Sequence, residues 1–232
     1  METFKITSVM SDSTRHAIYE YIYQGKKSVT VQDIAEQFSL HPNVARMHLT
    51  KLEDVNLISS FHEKAGKSGR PYRVYTLTNN EISVNFPPKD PNFFGQIALG
   101  CIESLGDMGK EVFETVGANI GRKQAEQRLL VDHIDSNEKE TLFKSMETLL
   151  KQQGLNPKIG IDNQQIELEV YHCPFRQEAE RNSEVVCSMH NEMLKQMFQT
   201  YFGDVEWTIE DSMMNGERTC KYQIIPKQGT IS

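Results

Sequence analysis

The chain of 232 residues has room for one large or two ordinary domains, each with its own core. Its 38% hydrophobic and 25% charged residues are those of a globular protein, and no run of eighteen apolar residues offers a membrane span. The net charge of −7 argues against a nucleic-acid binder until it is divided: residues 1–80 hold ten Lys/Arg against eight Asp/Glu, and residues 81–232 hold fifteen against twenty-four. Any basic footprint is therefore confined to the first third. The opening METFKITSVMSDSTRH lacks the charged-then-apolar order of a secretory signal, and only four cysteines occur, so the reducing cytoplasm is the expected compartment.

Ser11 and Asp12 stand where an N-cap would begin a helix over Ser13 to Gln24, with Ile18, Tyr21 and Ile22 on one face. Val29 to Phe38 predicts a second short helix, and Ser39-Leu40-His41 a turn. Pro42 fits the first position of a third helix, where its missing N–H costs nothing. In that helix Ala45, Leu49 and Leu52 recur inward, while Asn43, Arg46, Met47 and Thr50 share the opposite face. Arg suits guanine and Asn suits adenine in a major groove. Ser59 to Glu63, then KAGKSGRP, then Tyr72 to Leu77 predict a hairpin whose tip carries Lys64, Lys67 and Arg70, with Arg73 just beyond. Helix-turn-helix followed by a basic hairpin resembles a winged helix-turn-helix of the ArsR-like kind, with the wing set to meet phosphates or a narrow minor groove.

Pro87, Pro88 and Pro91 prevent a helix and mark a linker over residues 81–92, between a domain at 1–80 and a second at 93–232. Phe93 to Leu105 and Lys110 to Leu130 predict helices. Six of the fourteen glycines fall between Gly95 and Gly121, which calls for close backbone packing, within a domain or across a dimer. Arg122, Lys123 and Arg128 are expected on an exposed face. Ser136 to Gln153 is a strong helix with Leu142, Met146, Leu149 and Leu150 inward and Gly154 at its end. Cys101, in the apolar run IALGCIESL, is expected as a buried small hydrophobe.

Lys158 to Ile161 and Gln165 to Tyr171 predict strands, Phe175 to Arg181 a short helix, and Ser183 the cap of a helix running to Phe202. Val205 to Asp211 and Cys220 to Ile225 complete a small sheet around a turn at Asn215-Gly216. The fold class is thus α+β: an N-terminal winged helix-turn-helix joined to a C-terminal α+β sensor domain. Cys173 falls at a strand end, Cys187 in the first turn of a helix and Cys220 at the start of the last strand. Thiolates select iron–sulfur clusters, zinc or Cu(I), and a helix N-terminus lowers a thiol pKa. The spacings lack the CxxC knuckles of a zinc ribbon but leave zinc itself open. His190, three residues after Cys187, is the candidate fourth ligand, and His172 is a weaker one. Packing of the cysteines as plain hydrophobes is the competing reading.

At these residues the chain resembles the iron–sulfur transcriptional regulators that repress the Suf cluster-assembly operon. The resemblance rests on LHPNVARMHLTKLEDVNLI, KSGRPYRVYTL, CPFRQEAERNSEVVC and the cysteine of GERTCKYQI. It implies a [4Fe-4S] or [2Fe-2S] cluster on Cys173, Cys187 and Cys220, a homodimer, and repression at a double-stranded DNA operator. Cys101 matches no ligand position. A regulator sensing zinc or a small molecule is the alternative, and a redox enzyme a third. Neither a Gly-rich nucleotide loop nor a CxxC pair is present, and no catalytic residue is assigned.

Overall fold

A computed structural model of the chain describes residues 2–25, 28–63, 71–78, 82, 84, 92–134, 139–162 and 165–227. These group into two compact units, Met1–Pro91 and Asn92–Ser232.

The first unit opens on a helix the sequence reading missed, α1 (Glu2–Met10), whose Val9 is buried. Helix α2 (Ser13–Gly25) follows, and Asp12 acts as its cap: its carboxylate accepts from Arg15 N at 2.8 Å. Strand β1 (Val29–Thr30) leads into α3 (Val31–Gln37). Thr30 and Asp33 form a reciprocal capping box there, which is why that helix begins two residues later than its apolar pattern predicts. Ser39 takes a left-handed φ of 52° in the turn. Helix α4 (Pro42–Glu53) starts at the proline, with His41 Nδ1 accepting from Asn43 N at 3.2 Å. Strands β2 (Ile58–Glu63) and β3 (Tyr72–Leu77) pair antiparallel, and β1 adds to the other edge of β3. Ile18, Ile22, Ile34, Ala45, Leu49, Leu52 and Ile58 are almost fully buried, so the inward faces read from the sequence do form the core.

In the second unit α5 (Phe93–Ser104) hands over at Gly106 to α6 (Gly106–Asp132), a helix of 27 residues. Helix α7 (Lys139–Gln152) buries Leu142, Met146, Leu149 and Leu150. It ends on Gly154 at φ 79°, with Leu155 N donating to Leu150 O at 3.2 Å. Ser136, the expected start of that helix, lies outside the described residues. Strands β4 (Pro157–Asp162) and β5 (Gln165–Val170) form a hairpin; α8 (Arg176–Arg181) and α9 (Ser183–Phe202) follow, then β6 (Val205–Asp211) and β7 (Cys220–Pro226). The antiparallel sheet runs β4-β5-β7-β6. Its inward residues Ile166, Leu168, Tyr222 and Ile224 pack against Leu194, Met197, Phe198 and Phe202 of α9.

Two glycines fix how α6 meets α9. A methyl group at Gly117 would stand 2.7 Å from Met189 O, and one at Gly121 would stand 2.2 Å from Met193 O. The backbones touch where side chains would otherwise hold them apart. The glycine-rich stretch is therefore explained, at these two positions, by packing within the unit. Arg122 and Lys123 are exposed as expected, but Arg128 is half-buried: it pairs with Asp132 at 2.7 Å, and Asp132 also accepts from Ser145. Among the described residues no helix is long and apolar enough to cross a membrane.

Candidate functional site

Helix α4 presents Asn43, Arg46 and Met47 to solvent, with Thr50 half-buried beside them, while Ala45, Leu49 and Leu52 face the core. A helix of this length, held on two others and open along one face, can enter a major groove. Lys64, Lys67 and Arg70 lie outside the described residues. Arg73 is held within the unit: its guanidinium pairs with Glu53 at 2.7 Å, donates to Ser60 at 2.8 Å and lies 5.1 Å from the centre of the Tyr75 ring. That network ties the end of α4 to the hairpin, a positioning role that the sequence reading did not foresee. Replacing Arg46 by alanine is expected to weaken operator binding by about 1–3 kcal/mol and to relax sequence preference at one position. Fluorescence anisotropy on an operator and on point-substituted copies checks both effects.

The second unit gathers the three candidate ligands. Cys173 follows the end of β5, Cys187 sits on α9 and Cys220 opens β7, where it pairs with Val170 across the ladder. All three line one small cavity of about 40 Å³ together with His190, Asn191, Asp211, Met213 and Tyr222. Cys101 does not join them. It is exposed on α5, where the turn of the helix carries it outward rather than into the expected core.

The helix under this cavity starts one residue earlier than expected. Asn182, not Ser183, caps α9, accepting from Val185 N at 3.2 Å. Cys187 therefore falls in the second turn, beyond the reach of the dipole at the helix start. Its thiol is raised rather than lowered, first by burial and then by the neighbouring Cys220. Cys187, His190 and Asn191 share one helix face by their i, i+3 and i+4 spacing.

His190 is 5% exposed and burial pushes it down to about 4, so its imidazole is neutral at pH 7. That is the form that ligates metals. Its Nδ1 stands 3.8 Å from Cys173 Sγ, and its Nε2 is buried without a hydrogen-bond partner among the described residues. His172, the weaker candidate, is turned away: its Nδ1 lies 2.7 Å from Gly154 O.

Cys220 has a preorganised environment. Met213 N–H donates to its sulfur at 3.4 Å, and the Tyr222 phenol, raised by burial and then by Cys220, hydrogen-bonds with it. Met213 belongs to a single 3₁₀ turn, Met213–Asn215, closed by Gly216 at φ 91°. Strand β6 is irregular between Ile209 and Asp211, both at the cavity wall. Tyr222 was legible as a neighbour of Cys220, because residues two apart in a strand share a face. The Met213 turn carried no such periodic signal.

The donors are of the kinds that ligate metals, three thiols and one neutral imidazole around a small, partly enclosed space. Among the described residues no three His, Cys, Asp or Glu side chains are gathered tightly enough to hold a single ion.

Two family models match separate parts of the chain. A family model described as Methanogen output domain 1 matches residues 101–225, and a helix-turn-helix domain model matches residues 10–60. No curated protein matches the chain. Among solved structures, a trafficking protein particle complex subunit 3 from Naegleria fowleri, covalently bound to palmitic acid, is 10% identical with a TM-score of 0.44; the match covers 58% of this chain and 91% of that one. The phenol-responsive sensory domain of the transcription activator PoxR, with phenol, is 16% identical with a TM-score of 0.43, over 78% of this chain and 89% of that one.

Proposed function

The chain belongs to the Methanogen output domain 1 family, and from that premise we propose that it is a transcriptional repressor whose DNA affinity is set by an iron–sulfur cluster in its C-terminal unit. The N-terminal helix-turn-helix makes it a DNA-binding regulator; the cluster and the repressor role are the proposal. One observation carries it. Three cysteines far apart in the sequence line the same cavity, with a buried, neutral His190 whose Nε2 has no partner among the described residues.

Cys173, Cys187 and Cys220 would hold the cluster as thiolates, and His190 is the candidate fourth ligand. When bound, such a cluster supplies a centre that is lost on oxidation or iron shortage. The protein's own part is mechanical. The three cysteines belong to a strand end, a helix and a strand start, so a shared load on them fixes α9 against the sheet. Helix α9 is locked to α6 at Gly117 and Gly121, so a shift of α9 is passed to α6 rather than absorbed. In a homodimer, two recognition helices must meet half-sites about 34–36 Å apart. A coupling of roughly 1–3 kcal/mol between the cavity and that spacing changes operator affinity about 5–150-fold.

The test is purification without oxygen, with the visible spectrum, iron and sulfide content measured, then operator binding before and after cluster removal. Iron–sulfur assembly genes are the first operators to try, given the sequence resemblance. Equal DNA binding in the two states ends the coupling, and a colourless protein with stoichiometric zinc replaces the cluster by zinc.

A further inference from the structure

Tyr222 stands where the three candidate ligands meet. It lies on β7 two residues after Cys220, on the same face of the strand. It is 4% exposed and lines the cavity with Cys173, Cys187 and His190. Its ladder partners are Leu168 on β5 and Ile209 on β6, and its ring packs on Trp207, so the side chain is held from several sides. Burial, then Cys220 and Cys173, hold the phenol well above its ordinary range, and it keeps its proton at pH 7. Its hydroxyl hydrogen-bonds with Cys220. A thiolate has no proton to give, so once Cys220 is deprotonated the phenol is the donor and the sulfur the acceptor. Met213 N–H donates to the same sulfur at 3.4 Å.

We infer that Tyr222 is a positioning residue that sets how readily the group held in this cavity is oxidised, by donating a hydrogen bond to Cys220 Sγ. The inference rests on the iron–sulfur reading and adds the regulation of that site. On reduction one electron enters the cluster; no bond to the protein breaks and no proton moves. The added negative charge is shared with the cysteine sulfurs. A donor aimed at one of them is therefore stronger in the reduced state and raises the reduction potential. Burial acts in the opposite sense, because a dry cavity disfavours added charge. Tyr222 supplies both influences, the ring by excluding water and the hydroxyl by offsetting the charge. Tyr222→Phe separates them, since it keeps the ring and removes the donor.

The experiment is a redox titration of the full chain, loaded without oxygen, with dithionite supplying the electron and the visible spectrum as readout. Tyr222→Phe is expected to shift the equilibrium about tenfold toward the oxidised state, a fall of about 59 mV for a one-electron couple. Iron and sulfide content should stay at the wild-type level. Trp207→Phe is the control: it alters the packing on the same ring but leaves the donor, so the potential should not move. A second measurement does not depend on the variant folding. Wild-type protein made with 3-fluorotyrosine carries a more acidic phenol, a stronger donor, and its potential should rise. The chain has eight tyrosines, and the same label in Tyr222→Phe shows what the others contribute. A loaded Tyr222→Phe protein with the wild-type potential or a higher one overturns the inference and leaves the cluster reading standing. A folded Tyr222→Phe chain without iron also overturns it, since the hydroxyl then serves loading rather than potential. Wild-type protein without iron and sulfide overturns the cluster reading itself, and the inference with it.

Discussion

Gly121→Ala is expected to lower the stability of the C-terminal unit by about 3 kcal/mol, a fall in melting temperature of roughly 10 °C for a domain of this size. The added methyl carbon would sit 2.2 Å from Met193 O and 2.9 Å from Met193 C, both backbone atoms that no rotamer change can move. Helices α6 and α9 would have to separate along the row that also contains Gly117. Because Cys187 and His190 ride on α9 beside Met189 and Met193, that separation moves two donors away from Cys173 and Cys220. Metal content is therefore expected to fall together with stability. Gly100→Ala is the control. It lies in α5 with nothing within 4 Å of the added carbon, so the helix gains about 1 kcal/mol from better propensity. Thermal melts followed by circular dichroism decide the matter, and a Gly121→Ala melt within a degree of wild type would refute the clamp.

The elements most legible in the sequence were those with strong periodicity. Ala45, Leu49 and Leu52 in α4, Leu142, Met146 and Leu150 in α7, and Ile166, Leu168 and Val170 in β5 are all buried as their spacing predicts. Helix α1 was missed because ETFKITSVM mixes β-branched and polar residues, and its burial depends on tertiary contact with α2. Helix boundaries depended on caps that periodicity does not reveal: Thr30 with Asp33, His41, and Asn182 instead of Ser183. The shift at Asn182 had a chemical consequence. It took Cys187 out of the first turn, so burial replaced the helix dipole as the dominant influence on its thiol. The glycines announced close packing, but which helix they faced needed coordinates. The convergence of Cys173, Cys187 and Cys220 was proposed from residue chemistry and resemblance; their common cavity depends on the β5-β7 pairing, which local sequence does not encode.

Cys187→Ser is expected to leave the fold intact and abolish cluster retention, with Cys173→Ser and Cys220→Ser doing the same and Cys101→Ser having no effect. A serine hydroxyl keeps the size of the thiol but replaces a soft ligand with a hard one that stays protonated near neutral pH. The chain contains its own reporter of occupancy. Trp207 is the single tryptophan, and its ring centre lies 4.9 Å from that of Tyr222, a residue of the cavity wall. A chromophoric cluster held by these cysteines would accept the indole's excitation, so emission should be quenched in the loaded protein and recover in each of the three serine variants. Zinc absorbs nothing in that range and would leave emission bright, which separates the two metals without DNA. Loading should also depend on pH with a definite sign. Cys187 holds its proton more firmly than an ordinary thiol, and binding must release it, so below its pKa affinity should rise about tenfold per pH unit for each proton displaced. Reconstitution followed by tryptophan emission and metal analysis at two pH values measures all of this. Unchanged emission and iron content in Cys187→Ser would remove that cysteine from the site and leave the cavity without its third thiolate.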